Sequence, residues 1–434
     1  MTADIYQRRR QDLMHFIGDG IAILTTARHQ PRNGDVLFQF RPDSDFYYLT
    51  HFPEPEAVAV FIPGGKEGEF LLFCREKDAD KEQWDGARAG LEGAVSDYGA
   101  DQAFPIDQLQ QKLPQLLDNR DQVYTMMGRY PEFDSELLGS INAVRRKRRN
   151  GAHAPGEYLD VRHILHEMRL IKKKDEIKIM RNAARLSAAA HRRAMQFTQP
   201  GKYEYQVQAE MECEFRLGGS KYNAYPSIVA GGANACILHY VENHCQLRDG
   251  DLLLIDAGAE VDCYAADITR TFPVNGKYSG EQKALYEIVL AAQKAALNEV
   301  KPNNRVIEYH VAAVQTLTEG LVDIGLLDGE INELIETQAY QPFYMHRTGH
   351  WLGMDVHDVG DYKIDGQWRV LEPGMVLTVE PGLYISAANE VDPRWHNIGI
   401  RIEDDVHVTR QGNEVLTKDV PREINEIEAL MAGK

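Results

Sequence analysis

The apolar run Leu252-Leu253-Leu254-Ile255 ends on a carboxylate, Asp256, and a second run, Asp267-Ile268-Thr269-Arg270-Thr271-Phe272, begins on another. A hairpin turning between residues 261 and 262 sets Asp256 opposite Asp267. Directly paired Cβ atoms lie about 4.5–5.5 Å apart, and like charges at that range destabilise a sheet. Two carboxylates held there need a cation or a shared proton. A turn elsewhere, or a wet face for both aspartates, is the bland alternative. Downstream, Val376-Leu377-Thr378-Val379-Glu380-Pro381 and Ile398-Gly399-Ile400-Arg401-Ile402-Glu403 repeat the pattern of an apolar strand interrupted by an acid. A lone charge among such hydrophobes costs several kcal/mol unless paired or coordinated. A histidine cluster lies between the acidic blocks, with His346, His350 and His357, and His239 stands upstream. One such histidine is most simply a satisfied core residue; beside four carboxylates it becomes a metal ligand. Oxygen-rich donors with one imidazole favour ions such as Mn²⁺ over thiolate-loving metals, and bridging carboxylates suit two adjacent ions. A metal pair polarises a carbonyl and activates water, so spacing alone points to a dinuclear metallohydrolase.

Elements that must hold these residues follow from periodicity. From residue 21 the chain alternates β-like runs (21–25, 36–40, 46–50, 57–62 and 69–74) with turns and polar helical stretches, a mixed α/β pattern. Residues 157–173 read as one helix, followed by an amphipathic helix with Ile177, Met180, Ala184 and Ser187 on one side. Ser279-Gly280-Glu281-Gln282 has the form of a capping box ahead of Leu285, Ile288, Val289, Ala292 and Ala296. Another apolar stripe runs through Val306, Ile307, His310, Val311, Val314, Leu317 and Leu321. Strand blocks are expected at 251–274, 375–385 and 398–410, and a domain boundary near 170, giving domains 1–170 and 171–434.

The 434 residues suffice for two or three cores. With 48 basic and 66 acidic side chains, the net charge of −18 argues against nucleic acid as a partner. The basic run Arg145-Arg146-Lys147-Arg148-Arg149 then reads as a solvated helix end. A polar amino terminus and the absence of a long apolar run predict a cytoplasmic protein with no membrane association. Five cysteines without C-x-x-C spacing predict buried small hydrophobes rather than disulfides.

The blocks Tyr222–Gly232 with His239, Ile255–Gly258, Asp267–Val274, His350–Gly353, Val356–Gly360, Thr378–Tyr384 and Gly399–Asp405, in this order, resemble the creatinase/prolidase/methionine-aminopeptidase family, with its pita-bread fold. The likeness is closest to its bacterial aminopeptidase P branch and spans the chain, since Arg41–Thr50 resembles the family's amino-terminal domain. It implies an α/β (α+β) protein in which a mixed α/β creatinase-like domain precedes a pita-bread catalytic domain. It also implies a metalloaminopeptidase that releases the first residue of peptides with proline second. Two Mn²⁺ ions are implied, held by Asp256, Asp267, His350, Glu380 and Glu403, with Asp267 and Glu403 bridging. A hydroxide shared by the ions would attack the first carbonyl, Glu380 would accept its proton, His357 would stabilise the gem-diolate, and His239 would lie beside the scissile bond. His346 and Arg401 would contact substrate or brace ligands, and Tyr384 would form a pocket wall. Trp84 resembles a tryptophan that reaches a neighbouring subunit's site, consistent with a homo-oligomer, dimer or tetramer. One departure is Arg347, after His346, where many relatives carry glycine.

A bond to proline has no N–H, which ordinary peptidase clefts expect, and this explains a dedicated enzyme. Prolidase, which accepts Xaa-Pro dipeptides by clamping the terminal carboxylate, is the nearest rival; Arg394 and His396 are candidates for such a clamp. Methionine aminopeptidase is disfavoured by the long amino-terminal region. A non-catalytic pita-bread binding protein is disfavoured because all five ligands are present.

Overall fold

The computed structural model describes residues 3–433, so Met1 and Thr2 of the polar amino-terminal segment lie outside the described residues. The chain forms two compact units, one running to Glu167 and the other starting at Met168. In the first, the apolar runs assemble a six-stranded mixed sheet in the order Gln102–Pro105, Phe70–Cys74, Val58–Phe61, Ile21–Thr25, Gln122–Thr125, Glu157–Asp160. Ile21, Ile23, Val58, Val60, Leu71, Phe73 and Val123 pack against Leu113, Leu117, Phe133, Leu137 and Ile141 of two helices. Each fully buried side chain of this size contributes about 1.5–3 kcal/mol.

Three expectations are corrected here. Residues 46–50 are not a strand but part of the helix Ser44–Thr50: the Asp43 carboxylate accepts from the Phe46 backbone N–H at 3.1 Å, and all seven helical residues are buried. Burial on every side removes the alternation a strand needs, so the cap outweighs aromatic β-propensity. Residues 36–40 contribute only the exposed two-residue strand Val36–Leu37, in a small hairpin with Pro31–Asn33. The segment 157–173 is divided: Glu157–Asp160 pairs in parallel with Gln122–Thr125 as an edge strand, and only Arg162–Leu170 is helical. The basic run lies at the exposed end of the helix Pro131–Arg146.

In the second unit, Leu252–Asp256 lies between the antiparallel strands Ile228–Gly231 and Thr269–Pro273. Asp404–Thr409 lies between Val376–Val379 and Gly412–Val415, and Gly382–Ile385 pairs with Ile398–Arg401. The helices Lys174–Phe197, Gly280–Glu299 and Glu308–Asp323 share a core with these strands through Ala188, Leu285, Val289 and Leu317, packed with Leu253, Ile255, Leu383 and Ile400. Ser279 and Gln282 form the expected reciprocal cap, with bonds of 3.2 and 3.0 Å. Val311, expected on the apolar stripe, is 58% exposed. The cysteines are all free; Cys74 and Cys263 are buried, Cys236 and Cys245 intermediate, and Cys213 exposed, so only two behave as core hydrophobes. Among the described residues, no helix is long and apolar enough to cross a membrane.

The hairpin register also differs. The turn is centred on Asp262 and Cys263, whose φ values of 48° and 62° suit a tight type I′ turn, and Asp256 pairs with Thr269 rather than Asp267. A shift of two residues preserves the face, so Asp256 and Asp267 remain on one side as diagonal neighbours. The strands approach so closely beside Asp267 that a Cβ on Gly258 would lie 1.7 Å from the Ala266 carbonyl oxygen. Only glycine fits there.

Candidate metal centre

Five potential ligands arrive from five places in the second unit. Asp256 ends a strand whose other four residues are buried, and Asp267 stands just before Thr269–Pro273. Glu380 follows Val376–Val379 where Pro381 ends the ladder, and Glu403 separates Ile398–Arg401 from Asp404–Thr409. His350 is held against the strand Val376–Val379: its backbone N–H donates to Thr378 Oγ1 at 3.1 Å, and the Thr378 N–H donates to the His350 carbonyl at 2.9 Å. A Cβ on Gly349 would lie 1.9 Å from the Thr378 carbonyl oxygen, so this docking requires glycine before the histidine.

These side chains meet on the wall of one cavity of about 810 Å³. Donor atoms of Asp267, His350 and Glu403 all lie within 4.8 Å of one another. His350 Nε2 is 3.3 Å from Asp267 Oδ2 and 3.6 Å from Glu380 Oε1. The Tyr225 hydroxyl lies 2.6 Å from Asp256 Oδ1 and also contacts Asp267 Oδ1, so one phenolic proton faces two carboxylates. Arg401 donates to Asp256 Oδ2 at 2.6 Å, and Thr269 Oγ1 donates to Glu403 Oε2 at 2.6 Å. Four carboxylates and one imidazole, with the Arg401 guanidinium paired to Asp256, form a donor set that fits hard or borderline dications.

The charge state reflects this crowding. Burial pushes the Glu380 carboxyl up to about 7, with Asp267 and Asp256 adding to it. Glu403 is driven well above the usual carboxylate range by burial and then by Asp267 and Glu380. Burial would also raise Asp267, but its bond to His350 and the Tyr225 hydroxyl hold it below its ordinary value. Burial acts against the His350 imidazolium, yet Asp267 and Glu380 raise it to about 9. Metal ligands must be deprotonated, so ion uptake displaces these protons. Affinity for a divalent ion is therefore expected to rise with pH through 7, where Glu380 loses its proton, and to level off above about 9, once His350 has lost its own. Titration calorimetry in buffers of different ionisation enthalpy reads the protons released. Ion uptake without proton release at neutral pH contradicts this.

Around the ligands, the other sequence-predicted residues divide. His346 Nδ1 bonds the Arg347 carbonyl at 2.7 Å and therefore carries the proton; its Nε2 accepts from the Tyr384 hydroxyl at 2.9 Å, which accepts from Arg401 at 2.9 Å. Burial, then Arg401, pushes His346 down to about 3, so it is neutral. His346 and Arg401 line the cavity, whereas Tyr384 is 2% exposed and stands behind it as a brace. His357 stacks edge-on to His350, with ring centroids 4.4 Å apart, and His239 lines the same cavity. Trp84 belongs to the first unit, on the helix Ala79–Asp85, where it is 88% exposed. Arg394 pairs with Asp392 at 3.6 Å, His396 bonds the Asn389 carbonyl at 3.1 Å, and neither lines the cavity, so the proposed dipeptidase clamp is not formed.

Several residues acquire a role only in three dimensions. Tyr225 and Arg270 lie inside the resembling blocks, but their contacts were not legible. The Arg270 guanidinium is fully buried, bonded to Asp404 at 2.7 Å and to the Glu403 carbonyl, which anchors the strand carrying Glu403. His310 also lines the cavity, with Nδ1 2.7 Å from Thr348 Oγ1; its helical stripe had suggested core.

The loop bearing His350 and His357 is fastened by buried charges. Asp358 accepts from Arg169 at 2.6 Å and Lys172 at 2.8 Å, and Arg169 also reaches Asp355 at 2.7 Å. Both cations hold the Asp358 carboxyl below its usual range against the opposing effect of burial. Removing one partner of such a pair costs about 3–5 kcal/mol because the other charge stays buried. Asp358→Asn is expected to lower stability by about 3 kcal/mol and to lower kcat through displacement of His357. Denaturant unfolding together with kinetics checks both; unchanged stability rejects the fastening role.

Residues 178–410, a span that encloses all five candidate ligands, match the family model for Metallopeptidase family M24, and residues 6–124 match that for the aminopeptidase P N-terminal domain. The chain is 45% identical over 430 residues to the Xaa-Pro aminopeptidase of Escherichia coli K12, covering 99% of this chain and 97% of that one. It is similar to the structure of Pseudomonas aeruginosa aminopeptidase PepP, with TM-score 0.99 and 56% identity over 100% of this chain and 98% of that one. It is also similar to proline aminopeptidase P II from Yersinia pestis, with TM-score 0.97 and 46% identity over the full length of both chains. Mixed α/β architecture, an aminopeptidase P-type amino-terminal domain and five acidic and imidazole donors around one cavity agree with these matches: the chain belongs to metallopeptidase family M24, as a pita-bread metallopeptidase preceded by an aminopeptidase P N-terminal domain.

Proposed function

We propose that the protein is a metalloaminopeptidase that releases the first residue from peptides with proline in second position. The observation that carries this reading is the convergence of Asp256, Asp267, His350, Glu380 and Glu403 on one cavity, in a chain 45% identical to an Xaa-Pro aminopeptidase. Those five residues would hold a pair of divalent ions, Mn²⁺ by the donor chemistry, with Asp267 and Glu403 the central acids among them. Bound there, such ions supply Lewis-acid polarisation of a carbonyl and activation of water at neutral pH.

This chain's residues do the rest. Glu380 takes the proton from the attacking water on its carboxylate. His357 lines the cavity beside His350 and donates a hydrogen bond to oxygen charge developing at the scissile carbonyl. His239 contacts the proline side, which presents a ring and no N–H. His346, braced by Tyr384 and Arg401, fixes one wall in a single tautomer and excludes water. The aminopeptidase reading is preferred to a dipeptidase because Arg394 and His396 are engaged within their own loop.

A cytoplasmic homo-oligomer, in which exposed Trp84 reaches a neighbouring subunit, completes this reading. The deciding experiment offers Xaa-Pro and Xaa-Pro-Xaa peptides with Mn²⁺: release of the first residue from the tripeptide is expected, and cleavage of dipeptides alone overturns the assignment.

A further inference from the structure

The cavity carries a second charged feature. The acids on its wall are Asp256, Asp267, Glu380 and Glu403, all of the metal cluster, and its two arginines are Arg401 and Arg347. Arg401 is neutralised by Asp256 at 2.6 Å. Arg347 is exposed, and among the described residues its guanidinium makes a single aromatic contact, 5.8 Å from the centre of the Trp368 ring, which also lines the cavity. Its charge is felt by Tyr309 and His310, in the first turn of the helix Glu308–Asp323. Ile307, Tyr309 and His310, at the start of that helix, line the same wall. His310, pushed down to about 4 by burial and then by Arg347, is neutral and does not compete.

A planar guanidinium beside an indole, with no protein carboxylate in ion-pair contact, is a ready receptor for a carboxylate. The aminopeptidase reading puts the substrate's amino end at the metal centre, and Arg347 lines the same cavity; three extended residues span roughly 10 Å. We propose that Arg347, with Trp368 and the first turn of the helix Glu308–Asp323, forms a carboxylate-binding subsite that selects peptide substrates carrying a negative group near the scissile bond. This deepens the aminopeptidase reading and rests on it.

The carboxylate has several sources: the free end of a tripeptide, or an acidic side chain at the first or third position. Ala-Pro-Ala, Ala-Pro-Ala amide, Glu-Pro-Ala amide and Ala-Pro-Glu amide separate them. With the intact protein, at least one carboxylate-bearing peptide is expected to exceed Ala-Pro-Ala amide in kcat/KM by about tenfold, mainly through a lower KM. In Arg347→Ala that ratio should fall to within about twofold, while Arg347→Lys, keeping the charge but losing the fork, retains part of it. The peptide showing the preference identifies the source. If the intact protein cleaves all four alike, or Arg347→Ala keeps the preference, the subsite is wrong while the aminopeptidase reading stands. If it cleaves none of them, that reading fails and the subsite with it.

Discussion

Replacing Glu403 with glutamine, or Asp267 with asparagine, is expected to lower kcat/KM by at least about 10³-fold, because catalytic metal supplies several kcal/mol of stabilisation and each 1.4 kcal/mol is a factor of ten. Both substitutions are nearly isosteric. In Glu403→Gln the amide oxygen can still accept from Thr269 Oγ1, which lies 2.6 Å from the present carboxylate. The metal-free protein should lose no stability: Glu403 is 1% exposed, and burial among acids already drives its carboxyl well above the usual range. A neutral amide relieves that repulsion. Three measurements on Glu403→Gln therefore separate a ligand from a structural residue: activity collapses, bound metal falls below that of the unsubstituted protein, and the metal-free unfolding midpoint stays level or rises. Retained activity in either variant, or a marked loss of metal-free stability in Glu403→Gln, rejects the ligand assignment; Asp267→Asn also gives up the pairing with His350 and is judged on activity and metal content.

Removal of the His357 side chain in His357→Ala is expected to reduce kcat about 10²–10³-fold with little change in KM, the loss typical of one preorganised donor to developing oxygen charge. Burial and the neighbouring His350 cation lower its pKa, so at neutral pH it is an uncharged N–H donor. It touches His350 only edge-on, at 4.4 Å between ring centres, and is not among the closely spaced donors Asp267, His350 and Glu403. Metal content should therefore match the unsubstituted protein. Loss of metal along with activity shows instead that His357 acts by orienting His350.

Much of the site was readable in one dimension because strong local rules govern it. A buried apolar strand does not end in an acid without compensation, and Asp256, Glu380 and Glu403 each violate that rule alone. The long helices were legible for a similar reason: the Ser279 cap and the stripe through Leu285, Val289 and Ala292 are local features, and the stripe is buried in the structure. Misread segments are those where partners distant in sequence decide. Residues 46–50 carry strand-forming aromatics, yet Asp43 and complete burial make them helical. Glu157–Asp160 is a strand only because Gln122–Thr125 offers it a sheet edge.

The amino-acid sequence by itself indicated the candidate donors and their oxygen-rich chemistry, since residue type and local spacing are one-dimensional properties. Tertiary structure alone decided the register that pairs Asp256 with Thr269, the Tyr225 hydroxyl between two aspartates, the withdrawal of Tyr384 behind His346, and the Arg169–Asp358–Lys172 clasp beneath His357. Each of these depends on atoms brought within about 3 Å from segments far apart in the chain. Such distances arise only when the burial of the whole core fixes how strands and helices are placed.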